Sequence, residues 1–447
     1  MKDTNAPRNG FITAEETEVA FFSNNYVFTF FDKEFSCDYM KNVKPNVDGF
    51  VNGRTTMGLP ISLYTGENGI WLYGSTSINI SAYAVGKYKF CKDEIQYIGA
   101  IEFIGGTLNH LFSRESCKLE VTEEGNFVVK EKDNKKEYNF TIGFQKCRIA
   151  LYNSVSYGNG TYGVDIKDNG VRLKLSFDGC QSLKQILGHV DIIKRLLSFM
   201  TGCTNVGFDE IKLWKYNNGK RFFDSFAQLY IKQDYALEKV SASSCITFED
   251  LGNCLPAALE LFYRNSDKKP SYVLGFLLPS RTNLFNVTNS MIKEICSSLE
   301  CELSFINDLM DVEQERLKAL VEDVKEVVRR HRKSSDCLSP KTYDMIFGSI
   351  RNWSMTASDK ILLLYERYAD EMQRFNPLNT VIGREEINEF VKFRNDVTHG
   401  SYRVMDGKIE LTAHVLSGLV YCCLLNRIGM SREEILKLFK GNKILAY

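Results

Sequence analysis

The spacing of apolar residues changes along this chain, and its first part alternates like a sheet. Short runs rich in Val, Ile, Tyr, Phe and Thr fill the stretch from about Asn24 to Asp178, as in residues 26–31, 95–106, 118–144 and 163–177. The segments EEGN, DNKK and DNG stand at hairpin-like intervals among these runs. The pattern predicts antiparallel strands in a sandwich or a partly closed barrel.

Helical spacing first appears after Asp178. In residues 182–202 apolar side chains recur every three or four positions, and Gly202 stands where a helix would end. Strand-like runs return at 208–214 and 222–232. Beyond about Val240 the pattern predicts helices at 246–265, 291–310, 315–330, 341–350, 358–375, 384–399, 411–429 and 431–440.

These two patterns predict an α+β protein of two domains. We expect an antiparallel β-rich domain over residues 1–240 and an all-α bundle over residues 241–447. A chain of 447 residues, 44% hydrophobic and 25% charged, is long enough for two hydrophobic cores. The boundary is predicted from the change of period alone.

Charge and cysteine content narrow the function classes. Lys plus Arg and Asp plus Glu both number 56, so any contact with nucleic acid must be local. None of the 13 cysteines forms a C-x-x-C pair, so we expect buried, reduced thiols and no structural zinc. The first ten residues do not read as a signal peptide, and the most apolar stretch, 414–425, is too short to cross a bilayer. We therefore expect a cytoplasmic protein that does not bind membranes.

Two motifs have plain structural interpretations. The glycines of GNGTYG, 158–163, match a nucleotide-binding pattern, but the residues that follow predict a hairpin rather than the required helix. The cationic run RRHRK, 329–333, ends a predicted helix, where positive charge meets the negative end of the helix dipole. Contact with RNA is the alternative for this run.

Residues 387–403, INEFVKFRNDVTHGSYR, carry the candidate chemistry. Steps of four and three residues place Ile387, Val391 and Arg394 on one helix face, so an arginine lies on an apolar stripe. In the plain interpretation its aliphatic stem packs while its guanidinium reaches a carboxylate. The sequence alone leaves that possibility open.

A histidine follows this arginine by five positions. His399 would lie about 7.5 Å further along the axis, directly before Gly400 and the expected helix end. An imidazole can accept and donate a proton near neutral pH, and a guanidinium offers a planar donor fork to a phosphate. Together these groups could cleave a phosphodiester without a metal or another cofactor.

The run RNDVTH, Arg394 to His399, resembles the R-polar-x-x-x-H signature of the HEPN ribonucleases. The order of helices in residues 245–447, preceded by a β-rich domain, is similar to the Apea-like HEPN family of bacterial anti-phage defence. The resemblance implies a metal-independent endoribonuclease that acts as a homodimer or a higher homo-oligomer. Its motif helices would meet across a two-fold axis and form one composite site.

The resemblance also implies a role for each residue of the motif. His399 would act as general base on the ribose 2′-hydroxyl or as general acid on the leaving 5′-oxygen, and Arg394 would hold the phosphate. Asn395 would orient the imidazole or the backbone. The products would be a 2′,3′-cyclic phosphate and a 5′-hydroxyl, so DNA would be inert.

The resemblance also implies roles for the residues after the motif and for the β-rich domain. Tyr402 and Arg403 would contact an unpaired base of the RNA, unless they form an ordinary loop. The substrate would be cellular RNA such as tRNA, cut in an abortive response to infection. The β-rich domain would be the sensor, with a phage protein as its possible trigger.

Two alternatives from other function classes stay open. The first is a non-catalytic HEPN dimer that binds RNA or a protein, because neither fold nor motif guarantees turnover. The second makes the β-rich domain a carbohydrate or peptide binder and the helices a dimerisation device. Loss of activity in His399→Ala would separate the enzyme from both.

Overall fold

A computed structural model describes most of the chain. The described residues are 8–14, 17–31, 41–87, 97–112, 117–121, 127–131, 135–160, 163–216, 225–233, 244–265, 275–279, 287–306, 312–351, 356–373, 382–401 and 403–441. The chain divides into two compact units, Met1–Lys268 and Lys269–Tyr447. An antiparallel β region is followed by a helical region, as the periodicity predicts.

The first unit contains the strands. They are β1 Arg8–Ala14, β2 Thr17–Asn24, β3 Val27–Phe31, β4 Lys41–Val43, β5 Phe50–Thr55, β6 Pro60–Tyr64, β7 Ile70–Leu72, β8 Ser75–Asn79, β9 Ala82–Gly86, β10 Ile98–Ile104, β11 Cys117–Val121, β12 Phe127–Glu131, β13 Lys136–Ile142, β14 Gln145–Gly160, β15 Gly163–Gln181, β16 Glu210–Lys215 and β17 Ser225–Ile231. Thirteen of them join in the order β13-β14-β15-β10-β16-β17-β9-β6-β5-β1-β2-β3-β8. Each neighbouring pair in this sheet is antiparallel, and two small antiparallel pairs, β11-β12 and β4-β7, complete the described strands.

The helices begin in the first unit and fill the second. They are α1 Leu108–Leu111, α2 Leu183–Thr201, α3 Phe248–Leu251, α4 Leu255–Asn265, α5 Asn289–Leu303, α6 Val312–Arg332, α7 Pro340–Arg351, α8 Ala357–Arg367, α9 Ala369–Met372, α10 Arg384–Thr398, α11 Gly407–Arg427 and α12 Arg432–Lys440. The predicted helix at 246–265 is interrupted by a 3-10 turn, Gly252–Cys254, between α3 and α4. Helical periodicity continues through such a turn because it alters the rotation per residue only slightly.

Helix α2 confirms the sequence prediction at both of its ends. The Ser182 hydroxyl accepts a hydrogen bond from the Gln185 amide, and the Gln185 side chain accepts one from the Ser182 amide. Gly202 ends the helix in the left-handed conformation, with a φ of 71°. One side of α2 lies on the sheet, where the His189 ring stacks on Phe177 of β15 at 4.5 Å.

One predicted turn is wrong. The DNG segment, 168–170, lies inside the long strand β15 and does not reverse the chain. The register against β14 shifts between Asn153 and Val155 opposite this segment, and Gly170 has a φ of 83°. A bulge needs the same turn-forming residues as a hairpin, so residue type alone does not separate the two. The GNGTYG segment does join two paired strands, since Gly160 pairs with Gly163.

The two compact units divide after Lys268, whereas the change of period predicts a boundary near residue 240. Helix α4 packs against β13 and α2 within the first unit. The backbone amide of Thr141 in β13 donates to a carboxylate oxygen of Glu260 at 3.3 Å. Periodicity reports the type of an element but not which core the element joins, and this explains the difference.

The second unit is built around α11. Among the described residues this is the one helix long and apolar enough to cross a membrane, and 78% of its most apolar stretch is buried. Helices α5, α8, α9, α10 and α12 pack against it. An unbroken run of buried residues extends from Val415 to Leu425. The stretch 414–425 thus forms a core helix, as its length predicts.

Candidate functional site

The candidate site lies at the C-terminal end of α10. This helix starts after Gly383, whose amide donates to the Glu386 side chain at 2.9 Å. Its buried stripe consists of Ile387, Phe390 and Phe393. Helix α10 packs against α5, α8 and α11 through this side, which leaves its C-terminal end at the surface of the unit.

Arg394 lies at the margin of the buried stripe and not on it. Val391 and Arg394 are both half-buried, whereas Phe390 and Phe393 are fully enclosed. The predicted face, with Ile387, is therefore rotated slightly from the observed one. The difference matters because a marginal arginine keeps access to solvent while its aliphatic stem packs.

The Arg394 guanidinium has three neighbours in its own chain. Its Nη2 contacts a carboxylate oxygen of Glu300 on α5, and its Nη1 donates to Asn395 Oδ1 at 3.1 Å. Burial raises the pKa of the Cys296 thiol to about 12, and a hydrogen bond from Arg394 opposes that rise. The plain interpretation of this arginine, a packed stem that reaches a carboxylate, is thus observed.

The contact with Glu300 remains open to water. The Arg394 side chain keeps 22% of its surface exposed and the Glu300 side chain keeps 48%. Ion pairs at this degree of exposure contribute on the order of 1 kcal/mol or less. An external anion could therefore replace Glu300 at a small cost.

His399 caps the C-terminus of α10 and is exposed. Its amide donates to the Asn395 carbonyl at 3.0 Å. The next two residues complete a Schellman arrangement: the Gly400 amide donates to Val397 at 3.4 Å, and the Ser401 amide donates to Asp396 at 2.9 Å. Gly400 has a φ of 80°, which glycine adopts without strain. These bonds fix the backbone beneath the imidazole.

The imidazole of His399 has no hydrogen-bond partner within the described part of the chain. Its surroundings differ from those of His189, where Nδ1 lies 2.7 Å from the Tyr263 hydroxyl and Nε2 lies 3.1 Å from Gln181. The structure places Arg394, Asn395 and His399 on the last turns of one helix. The Asn395 side chain accepts a hydrogen bond from Arg394, and the Asn395 backbone carbonyl accepts one from the His399 amide.

Arg403 returns to α10 and does not extend into solvent. Its Nη2 lies 2.5 Å from Glu389 and its Nη1 lies 3.3 Å from Asp396, with the guanidinium 5.6 Å from the Phe393 ring centre. The Arg403 guanidinium holds the pKa of the Glu389 carboxyl below its usual value. Through these contacts Arg403 connects the segment after His399 to α10. Tyr402 lies outside the described residues.

Sequence reasoning missed the acidic partners of this site. Glu300 and Glu302 stand near the end of α5 with no basic residue within the next ten positions. Unpaired carboxylates on a half-buried helix predict partners from elsewhere in the fold. Glu302 is buried and pairs with Arg427 at 3.0 Å, and Glu300 meets Arg394. The absence of a nearby basic residue in the sequence therefore identifies the two glutamates that need a partner, but it does not identify the arginines that they contact.

The described residues contain no group of three or more His, Cys, Asp or Glu side chains arranged to hold a metal ion. Ten cysteines among the described residues are free thiols. In the first unit a groove of about 590 Å³ lies beside β13, β14 and β15, and its charged lining residues are Lys146, Arg148, Asp178 and Glu260.

No protein-family model, no curated protein and no solved structure matches this chain. The geometry of the α10 terminus therefore stands by itself as support for a function.

Proposed function

We propose that the protein is a metal-independent endoribonuclease of the Apea-like HEPN type. The supporting observation is the end of α10, where an exposed imidazole with a fixed backbone follows an arginine that retains access to solvent. These two groups supply a proton carrier and a phosphate ligand on neighbouring turns of one helix.

The chemistry follows from these two side chains. His399 removes the proton of a ribose 2′-hydroxyl, and the oxygen forms a bond to the adjacent phosphorus. The bond from phosphorus to the 5′-oxygen breaks, and that oxygen takes a proton. The products are a 2′,3′-cyclic phosphate and a 5′-hydroxyl, with no net change in protons. Arg394 stabilises the negative charge on the phosphate oxygens in the transition state.

A second copy of the chain supplies the second proton carrier. Attack and departure occur on opposite sides of the phosphorus, so one imidazole at a fixed position cannot serve both oxygens. A two-fold contact between α10 termini would bring two copies of His399 to one phosphate. A homodimer is therefore the smallest active form in this proposal, and larger assemblies remain compatible with it.

Before phosphate binds, Arg394 must leave Glu300. Both side chains are partly exposed, so water can solvate the carboxylate as the guanidinium turns toward RNA. The hydrogen bond to Asn395 can persist during this exchange because the two residues are adjacent on the helix. Asn395 would thus preserve the orientation of Arg394.

The biological setting in this proposal is cytoplasmic anti-phage defence with tRNA as the main substrate. The β unit would be the sensor of a phage protein, and the mixed charges of the groove beside β13 to β15 offer a polar surface to such a ligand. Cleavage of cellular RNA would then halt the infected cell.

A non-catalytic HEPN dimer is the second candidate function. It is favoured by the contacts of Arg394, which already has Glu300 and Asn395 as partners in its own chain. In that case the α10 terminus would bind RNA or a protein, and His399 would take no part in proton transfer.

Cleavage of RNA in excess EDTA separates these two functions. We expect purified protein to cut tRNA and leave 2′,3′-cyclic phosphate ends, and we expect His399→Ala to lose at least about 1,000-fold of the rate. The matched control is Ser401→Ala, an exposed neighbour whose backbone amide supports the helix end by donating to Asp396. Equal cleavage by His399→Ala and wild type, or a strict magnesium requirement, would refute the proposal.

A further inference from the structure

A basic surface lies at the turn between α6 and α7, two helices that pack against each other. Residues 329–343 contain five basic residues and one acid, Asp336, in a chain whose total charge is zero. The basic residues are Arg329, Arg330, Arg332, Lys333 and Lys341. Every residue from 329 to 341 is exposed. We call this surface, residues 329–341, the hairpin tip.

Several residues of the hairpin tip contact Tyr343, which is 2% exposed. The Tyr343 hydroxyl accepts a hydrogen bond from the Leu338 amide at 3.0 Å and lies 2.7 Å from His331 Nδ1. The Arg332 guanidinium lies 5.8 Å from the centre of the same ring. These contacts connect the turn to the buried ring of Tyr343 in α7.

Few of these charges are compensated within the protein. Arg329 lies 3.5 Å from Glu326. Among the residues that the structure describes, no carboxylate pairs with the side chain of Arg330, Lys333 or Lys341. Repulsion among neighbouring cations lowers the stability of the folded state, and a bound polyanion would relieve that repulsion.

Helix capping accounts for only part of the cluster. A cation gains about 0.3–1 kcal/mol in the last turn of a helix, which applies to Arg329, Arg330 and Arg332. Lys333 lies beyond the end of α6. Lys341 lies in the first turn of α7, where the dipole disfavours positive charge. Recognition of an external polyanion explains all of these positions together.

We propose that the hairpin tip binds the phosphate backbone of the RNA substrate outside the cleavage site. The inference rests on the proposed function only in taking RNA as the polyanion. Because the tip offers charge and no base-reading groove, its binding is independent of RNA sequence.

Binding of an RNA that cannot be cut tests this inference. The probe is a 2′-O-methyl RNA of about 20 nucleotides, which lacks the attacking hydroxyl but keeps its phosphates. The variant is Arg330→Ala/Lys333→Ala/Lys341→Ala in the full chain. The matched control is Lys184→Ala/Lys437→Ala/Lys440→Ala, which removes the same charge from exposed positions elsewhere.

For three lost phosphate contacts we expect the slope of log Kd against log salt to fall by about 2. The same relation gives a Kd about 100-fold weaker at 0.1 M salt, whereas the control should stay within about threefold of wild type. Equal Kd and slope for the two triple variants would overturn the inference. Absence of RNA binding by wild type, with binding to vesicles of phosphatidylcholine and phosphatidylserine instead, would also overturn it.

The two proposals fail separately in this design. If wild type never cuts RNA but the tip variant still loses affinity, the ribonuclease proposal falls and the tip inference stands. If wild type cuts RNA and the tip variant binds as tightly as wild type, only the tip inference falls. Thermal unfolding of each variant checks that the exposed substitutions leave the fold intact.

Discussion

Two histidines of this molecule occupy opposite environments. His189 lies in the middle of α2, buried against the sheet, with a hydrogen-bond partner at each ring nitrogen. His399 ends α10 at the surface, and within the described part of the chain only its backbone is hydrogen-bonded. Burial lowers the pKa of His189 to about 4, so this imidazole is neutral at physiological pH. The difference teaches that a satisfied imidazole contributes to stability, whereas an unsatisfied one remains available for chemistry.

After the loss of His399 itself, the largest expected effect in this comparison is that of Arg394 in the exposed region. Arg394→Ala should lower kcat/KM for RNA by about 100- to 1,000-fold, which corresponds to about 2.7–4 kcal/mol of transition-state stabilisation. Stability should change by less than about 1 kcal/mol, because the lost contact with Glu300 is partly exposed. Kinetics together with urea unfolding would test both values. A large loss of stability with unchanged kinetics would show that Arg394 stabilises the fold and takes no part in cleavage.

At the buried histidine we expect the opposite result, a loss of stability without a loss of cleavage. His189→Ala should destabilise the protein by about 3 kcal/mol, because it leaves a cavity and removes the partners of Tyr263 and Gln181. Cleavage by the folded fraction should be unchanged. Urea unfolding of His189→Ala beside His399→Ala measures the contrast, and equal stability of the two variants would remove it.

The third effect is a pH dependence of stability from the same residue. The pKa of His189 is about 4 in the folded state and about 6.5 in the unfolded state. Between these values the unfolded chain binds the extra proton, so stability is complete above about pH 6.5 and declines as the pH falls toward 4. We expect this residue to contribute a loss of about 2–3 kcal/mol.

Unfolding of wild type and His189→Gln between pH 4 and pH 7 isolates that contribution. Glutamine has no titration in this range, so its stability should depend less on pH. Parallel curves for the two proteins would show that His189 is not the group responsible.

The smallest effect concerns the contact that restrains Arg394. Glu300→Gln keeps the shape of the side chain and removes its charge, so the guanidinium is freer to meet phosphate. We expect RNA affinity to rise about two- to fivefold, since exposed ion pairs contribute under about 1 kcal/mol. The double variant Glu300→Gln/Arg394→Ala should show no such gain. A gain that persists without Arg394 would assign the effect to general charge and not to this contact.

Much of the local structure could be predicted from the sequence. The end of α10 followed from helical spacing and from Gly400, and α2 followed from the same signals with Gly202. The motif residues were adjacent by helical geometry, so their shared location needed no tertiary information. The DNG segment shows the limit of such signals, because the same residue types serve a turn and a bulge.

The partners of the site could not be predicted in the same way. Glu300 and Arg394 are 94 positions apart, and only the packing of α5 against α10 brings them together. Arg403 is another case. It follows the end of α10 in the sequence, yet its guanidinium contacts two carboxylates within that helix, those of Glu389 and Asp396. A pattern of apolar positions states which side of a helix is buried but not which polar group faces it.

Local sequence was enough to predict the two kinds of secondary structure, the helix that bears Arg394, Asn395 and His399, and the point at which this helix ends. Those features depend on interactions among residues a few positions apart. The strand order of the sheet, the division after Lys268, the exposure of His399 and the acids that contact Arg394 and Arg403 came from the folded chain. Each of these depends on contacts between distant segments, and the spacing of residues along the chain carries no information about them.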